Sequence, residues 1–157
     1  MRVGLGYDIH RFAEGRPLVL CGVVFDEGPG LEGHSDADVI LHAVADAILG
    51  AAGLGDIGDH FPPEDEQWRD ADSGDLLQQV VALVQDRYVI SNADVTLIGE
   101  RPRIKPRRDE MRTSLARLLG VEVDRVNVKA TTNERLGAVG RAEGLASLAT
   151  VLLEERK

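Results

Sequence analysis

Val3-Gly4-Leu5-Gly6-Tyr7-Asp8-Ile9-His10 sets the architecture of this chain. Apolar Val3, Leu5, Tyr7 and Ile9 alternate with Gly4, Gly6, Asp8 and His10, the period-two pattern of a β-strand with unlike faces. Side chains two apart leave a strand on the same face, so Asp8 and His10 project together as half of a metal site. Working outward, the largely apolar residues 17 to 25 predict a second strand and Glu27-Gly28-Pro29-Gly30 a turn. Asp36-Ala37-Asp38 opens a predicted helix whose apolar set Val39, Ile40, Leu41, Val44, Ile48 and Leu49 is dense enough for burial, and which ends between Gly50 and Gly55.

Residues 56 to 73 mix Gly, Asp, Pro and Glu around Phe61 and Trp68 without periodicity, and loops of that length are usually functional or disordered. Ser73 is expected to cap a helix over 74 to 87. Asp94 to Gly99 reads as a strand, Pro102 to Pro106 as a loop, and a helix carrying Met111, Leu115, Leu118 and Leu119 stops at Gly120. Asp124 to Thr132 reads as a strand with Val126, Val128 and Ala130 on one face. Gly137 to Gly144 is a turn-rich link and Leu145 to Leu153 a final strand. With no repeat or linker, the expectation is one domain over residues 1–157 of α+β class, a mixed β-sheet with helices packed over one face.

The 157 residues are 43% hydrophobic and 29% charged, a folded-domain profile. Aromatic residues make up only 4%, so the core must be built from Leu, Val, Ile and Ala, and a subunit of this size is expected to hide apolar surface by oligomerising. Acidic residues exceed basic ones 27 to 18, a net charge of -9, which argues against nucleic acid or an anionic membrane as partner. A phosphate-bearing ligand would need local help from a metal, a Lys or a helix N-terminus. The single Cys21 lies in the apolar run Leu18-Val19-Leu20-Cys21 and reads as a small buried hydrophobe in a reducing compartment. Met1 leads into the first strand without a basic-then-apolar leader, and no run approaches ~18 apolar residues, so a cytoplasmic location is expected.

His42 lies on the first predicted helix with Asp38 and Asp46 four residues to either side, a polar stripe on an apolar element. Two imidazoles and the Asp8 carboxylate would leave a fourth tetrahedral position open to a substrate oxygen, the pattern of catalytic zinc, and another divalent transition metal would accept the same set. His34-Ser35 precedes the helix where unpaired N–H groups favour an anion, with Ser35 or Asp36 as the alternative role of N-cap. Lys129-Ala130-Thr131-Thr132-Asn133-Glu134 ends a strand with a cation, two hydroxyls and a carboxylate, an edge suited to phosphate and Mg²⁺.

Tyr7-Asp8-Ile9-His10, Gly33-His34-Ser35-Asp36-Ala37-Asp38, Leu41-His42-Ala43, Leu54-Gly55-Asp56-Ile57-Gly58, Asn127-Val128-Lys129-Ala130-Thr131-Thr132 and Gly140-Arg141-Ala142-Glu143-Gly144 form a specific ordered set. In these motifs the chain resembles the 2-C-methyl-D-erythritol 2,4-cyclodiphosphate synthases of the non-mevalonate isoprenoid pathway, from Arg2 to about Leu153. The resemblance implies a homotrimer with active sites between subunits. It implies attack by the 2-phosphate of 4-diphosphocytidyl-2-C-methyl-D-erythritol 2-phosphate on the β-phosphorus, with CMP leaving. By position, Asp8, His10 and His42 would hold Zn²⁺ and Glu134 would hold Mg²⁺ or Mn²⁺, while His34 and Thr132 would stabilise the reacting phosphates. Ser35, Asp56, Ile57, Gly58, Phe61 and Asp65 would contact the ribose, methylerythritol and phosphate groups. Gly99, Arg103, Ile104 and Lys105 would read cytosine, with Thr131 and Asn133 beside them, and Ala138 and Arg141 would face a central channel where an isoprenoid diphosphate could bind.

Three positions depart from the family pattern: Pro63 is followed by Glu64-Asp65, Arg103 stands where Lys is common, and Ala138 replaces a bulkier residue. Without the resemblance, the triad also suits a zinc-dependent phosphohydrolase. A non-catalytic trimer that binds isoprenoid diphosphates through Arg141 is a further alternative, and it leaves the triad unexplained.

Overall fold

In a computed structural model that describes residues 1–26 and 28–156, the alternating opening segment forms strand β1, Arg2–Ala13. The glycine face of β1 is the buried one. Helix α1, Val39–Ala52, lies so close to it that a Cβ on Gly4 would sit 1.9 Å from the Ala47 carbonyl oxygen and one on Gly6 1.8 Å from that of Ala43. This backbone-on-backbone approach carries His42 of α1 to Asp8, two residues beyond Gly6. Val3, Leu5, Tyr7 and Ile9 consequently point away from the helices and are 47% to 69% exposed.

The five-stranded sheet runs β4-β1-β7-β5-β6, with β4 Gly30–Leu31, β5 Tyr88–Ile98, β6 Val126–Thr131 and β7 Gly144–Glu155. Only β5 and β6 pair in parallel. Register places Asp8, Ser147, Leu97 and Ala130 in one row across the inner face, and Ile9, Ala146, Ile98 and Thr131 in the next row on the outer face. Helices α1 and α4 (Arg108–Leu119) pack against the sheet's inner face and α3 (Ser73–Val84) packs against those two helices, in keeping with the α+β expectation. Among the described residues, no helix is long and apolar enough to cross a membrane.

Several boundaries differ from the sequence expectation. Residues 17 to 25 form two short strands, β2 Leu18–Leu20 and β3 Val23–Phe25, turned at Cys21 and Gly22, whose φ angles are 55° and 70°. Of the expected turn at 27 to 30, Glu27 lies outside the described residues. Helix α1 starts at Val39, because Asp38 is extended and its carboxylate accepts the N–H groups of Ile40 and Leu41 at 3.2 and 3.1 Å. Asp72, not Ser73, caps α3, which stops at Val84. The segment 56 to 73 contains a one-turn helix α2, Ile57–His60, closed by a capping box of Asp56 and Asp59, and a 3₁₀ turn over Glu66–Trp68. Strand β5 begins six residues before Asp94, since an irregularity between Ile90 and Asn92 breaks the alternation. A 3₁₀ turn over Val123–Arg125 delays β6, whose Ala130 is exposed at the strand's end, and the 137 to 144 link holds the short helix α5, Gly137–Gly140.

Asp38 is fully buried and also accepts the Gly22 N–H at 2.7 Å, so one carboxyl caps α1 and pins the β2–β3 hairpin. Burial, with the nearby charge of Asp36, pushes its pKa up to about 7 against the lowering effect of its backbone donors. The folded chain therefore holds this proton at pH values where the unfolded chain, near its ordinary pKa of about 4, has released it. Its contribution makes stability fall as pH rises from about 4 to about 7 and stay flat above. Asp38→Asn is expected to remove that segment of slope, and Asp38→Ala to cost about 1–3 kcal/mol through the lost cap and the unpaired Gly22 N–H. Urea unfolding midpoints across this pH range check both.

Candidate metal centre

Asp8 and His10 leave the inner face of β1 beyond its two glycines, and His42 leaves the first full turn of α1. Asp8 Oδ2 lies 2.9 Å from His10 Nε2 and 3.1 Å from His42 Nδ1, and the two nitrogens are 3.3 Å apart. Among the described residues this is the one cluster of three metal-type side chains. Behind the cluster, His10 Nδ1 meets the Glu32 carbonyl at 2.6 Å; a carbonyl only accepts, so Nδ1 carries a proton and Nε2 is the ring nitrogen that can give its lone pair to a metal in place of a proton shared with Asp8. His42 Nε2 faces two hydroxyls, Ser73 Oγ at 2.9 Å and Ser35 Oγ at 3.1 Å.

Burial works to raise the Asp8 pKa, but hydrogen bonds and charge from His10 and His42 outweigh it and hold the carboxyl well below the usual range. His10 is raised: burial opposes its charge, and the Asp8 contact and the Glu32 carbonyl overcome that. Two imidazoles and a carboxylate, all half-buried and converging on one point, fit a divalent transition metal with a position left open.

That position faces a pocket of about 280 Å³ lined by His34, Ile57, Gly58, Phe61, Trp68 and Leu76 among others. Phe61 and Trp68 meet edge to face, 5.0 Å between centroids, and Asp46 accepts the Ile57 N–H at 2.8 Å, tying the pocket wall to α1. Beside the donors is therefore a mostly apolar chamber that can hold a compact carbon skeleton and keep water from it.

Of the residues expected in the site, Asp8, His10, His34, Ser35, His42, Ile57, Gly58 and Phe61 meet around this pocket. Ser35 is buried and bonded to the back of His42, and neither it nor Asp36 caps α1. The Asp38 carboxylate occupies that helix end, so the anion expected on its N–H groups at His34-Ser35 has no such cradle. Asp56 caps α2, and Asp65 caps the 66–68 turn with its carboxylate on the Gln67 N–H.

The remaining expected residues gather elsewhere. Every residue from Lys129 to Ala138 is exposed. Thr132 donates to Glu134 at 3.1 Å, and the Glu100 carboxylate accepts from the Asn133 and Arg135 N–H groups, binding this turn to the 99–105 segment. There Arg103 lines an open pocket of about 560 Å³ with Gly28, Glu100, Arg101, Pro102 and Pro106, while the Ile104 side chain is buried and only its backbone can serve a ligand. Lys105 begins a 3₁₀ turn and is exposed. Thr131, at the end of β6, is three strands from β1, about 14 Å at about 4.8 Å per strand, and on the opposite face from Asp8. Ala138 borders a small cleft with Ile9 and His10, and Arg141 pairs with Glu143 at 2.7 Å. Sequence reasoning missed Asp46 and Ser73 as parts of the site, because their role rests on which element lies opposite and no spacing encodes that.

A profile of the YgbB family matches residues 1–154. The 2-C-methyl-D-erythritol 2,4-cyclodiphosphate synthase of Salinibacter ruber is 56% identical over 155 residues, 98% of this chain and 99% of the relative. That of Geobacter metallireducens is 56% identical over 157 residues, 99% and 100% of the two chains. A solved structure titled as a 2C-methyl-D-erythritol-2,4-cyclodiphosphate synthase in its CDP-bound form is similar with a TM-score of 0.89 and 40% identity, covering 98% of this chain and 100% of the other.

Proposed function

The chain belongs to the YgbB family, whose cyclodiphosphate-forming reaction in isoprenoid biosynthesis it carries out, and on that premise we propose how its residues close the ring. One oxygen of the substrate's 2-phosphate bonds to the β-phosphorus. The bond from that phosphorus to the oxygen bridging the α-phosphate breaks, and CMP departs with the oxygen and its electron pair. Asp8, His10 and His42 hold Zn²⁺ or another divalent transition metal, and Glu134, beside Thr132, holds Mg²⁺ or Mn²⁺. Bound there, divalent cations withdraw charge from phosphate oxygens, which with alignment is what phosphoryl transfer asks of a protein.

His34 at the pocket mouth and the Thr132 hydroxyl donate to the reacting phosphates. Ile57, Phe61 and Trp68 enclose the methylerythritol carbons and exclude water, while Asp56 and Gly58 hold hydroxyls and the Gly99 to Lys105 backbone meets cytosine. Holding nucleophile and electrophile in line supplies roughly 7–11 kcal/mol of the barrier reduction, so no side-chain nucleophile is required. The observation that carries the assignment is the convergence of Asp8 Oδ2, His10 Nε2 and His42 Nδ1 on one point at the pocket floor.

Residues 1–157 act as one domain within a homotrimer. Two features support the assembly: the exposed apolar row Val3, Leu5, Tyr7 and Ile9, and the separation of the triad from Thr132 and Glu134 within one chain. A neighbour's Thr132 and Glu134 then complete each site. An isoprenoid diphosphate in the central channel would have to draw Arg141 from its pair with Glu143.

Phosphorus NMR of purified protein with substrate and both metals is expected to show CMP and the cyclic diphosphate in equal amounts. Inorganic phosphate or an open-chain diphosphate in their place would establish the phosphohydrolase alternative.

A further inference from the structure

Ser73 and Asp36 read from sequence as helix-capping residues, yet neither does that work: Asp72 caps α3 and Asp38 caps α1. Ser73 turns instead toward the back of the His42 ring, and Asp36 toward Ser73 while accepting the Asp38 N–H. The Ser73 hydroxyl donates to Asp36 Oδ1, and the Ser73 backbone N–H donates to Asp36 Oδ2 at 3.2 Å, so one carboxylate takes both donors of one residue. The link carrying Asp36 and the one leading into α3 are laced together by Asp36 N–H to the Ala71 carbonyl and Asp70 N–H to the His34 carbonyl, at 3.2 and 2.6 Å. Ser73 is 1% exposed, so water does not compete.

A hydroxyl has one proton to give. Spent on Asp36, it leaves Ser73 only lone pairs for His42 Nε2, 2.9 Å away. Ser35 Oγ, 3.1 Å from the same nitrogen, accepts the Ala37 N–H and lies 3.4 Å from Ser73 Oγ, to which its own proton can turn. With both hydroxyls presenting lone pairs, the ring proton sits on Nε2, which frees the lone pair of Nδ1, the atom 3.1 Å from Asp8 Oδ2 and 3.3 Å from His10 Nε2. A carboxylate, acting through a hydroxyl, decides which nitrogen faces the ligand cluster.

We propose that Asp36 and Ser73 are positioning residues of the metal centre, a relay that locks the His42 ring in the tautomer and orientation that ligate through Nδ1. This rests on the reading of Asp8, His10 and His42 as metal ligands. Outer partners of ligating histidines typically account for 10–100-fold in metal affinity. Ser73→Ala is therefore expected to weaken Zn²⁺ binding 10–100-fold and to alter the visible absorption of the Co²⁺-substituted protein, with Ser73→Thr restoring both. Metal competition titrations, circular dichroism and nitrogen-15 NMR of the His42 ring supply the readouts, independent of turnover. If Ser73→Ala does not fold, Asp36→Asn carries the test, since it keeps the side chain's size and cancels its charge; the same loss of at least tenfold is expected. A folded Ser73→Ala or Asp36→Asn protein that binds Zn²⁺ within twofold of wild type, with an unchanged Co²⁺ spectrum, overturns the relay. Failure of the ligand reading looks different: wild type and His42→Ala would bind Zn²⁺ equally.

Discussion

His42→Ala and His10→Ala are each expected to yield a folded protein that no longer holds the proposed metal and has lost activity by on the order of 10³-fold or more. Either change leaves one imidazole and the Asp8 carboxylate, and two ligands on a half-exposed surface hold an ion poorly against water. The fold survives because neither ring is a keystone of packing. Helix α1 stays seated through the close approach of Ala43 and Ala47 to Gly6 and Gly4, and through the buried side chains of Val39, Ile40 and Leu41. His10→Ala gives up its bond to the Glu32 carbonyl behind the cluster. His42→Ala removes a ring bonded to the buried Ser73 and Ser35 hydroxyls, which keep their bonds to Asp36 and to the Ala37 N–H, so it is expected to be the less stable of the two by about 1 kcal/mol. Metal analysis beside circular dichroism and product formation decides the matter. Full turnover from a zinc-free variant would remove the metal centre from the mechanism.

The triad was legible before the fold because its logic is local. Asp8 and His10 share a strand face by parity, His42 marked itself as part of a polar stripe on an apolar helix, and the resemblance added the order of the three in the chain. The faces themselves were not legible. Alternation announces a strand, but whether the bulky or the bare side is buried depends on what lies against it, and here a helix backbone takes the glycine side. The hairpin at residues 18 to 25 was hidden for a related reason: Cys21 carries no turn signal, and its positive φ is held by a hairpin whose Gly22 N–H bonds to Asp38, sixteen residues on. Capping failed where candidates crowd. Ser35, Asp36 and Asp38 all suit an N-cap, and the outcome turns on the backbone at Ala37, whose φ is 56°. The residues displaced from capping are the ones now bonded around His42.

Activity is expected to return when two dead proteins, His42→Ala and Thr132→Val, are unfolded together and refolded as a mixture. In one chain, the end of β6 at Thr131 stands three strands and about 14 Å from β1, so Thr132 and Glu134, which follow it, lie across the width of the sheet from that chain's Asp8, His10 and His42. The proposed trimer resolves this by setting the zinc half of one subunit against the Thr132 half of the next. Both substitutions spare the fold, since Thr132 is exposed and valine keeps its shape. In random trimers from equal amounts, each interface draws its two halves independently, and about one site in four receives an intact zinc half and an intact phosphate half. Recovery should therefore approach about a quarter of wild-type turnover, and the same proteins mixed without refolding should stay inactive if trimers do not exchange. Demonstrably mixed trimers that recover nothing would place both halves on one chain, and the exposed run from Lys129 to Ala138 would lose its role at the interface.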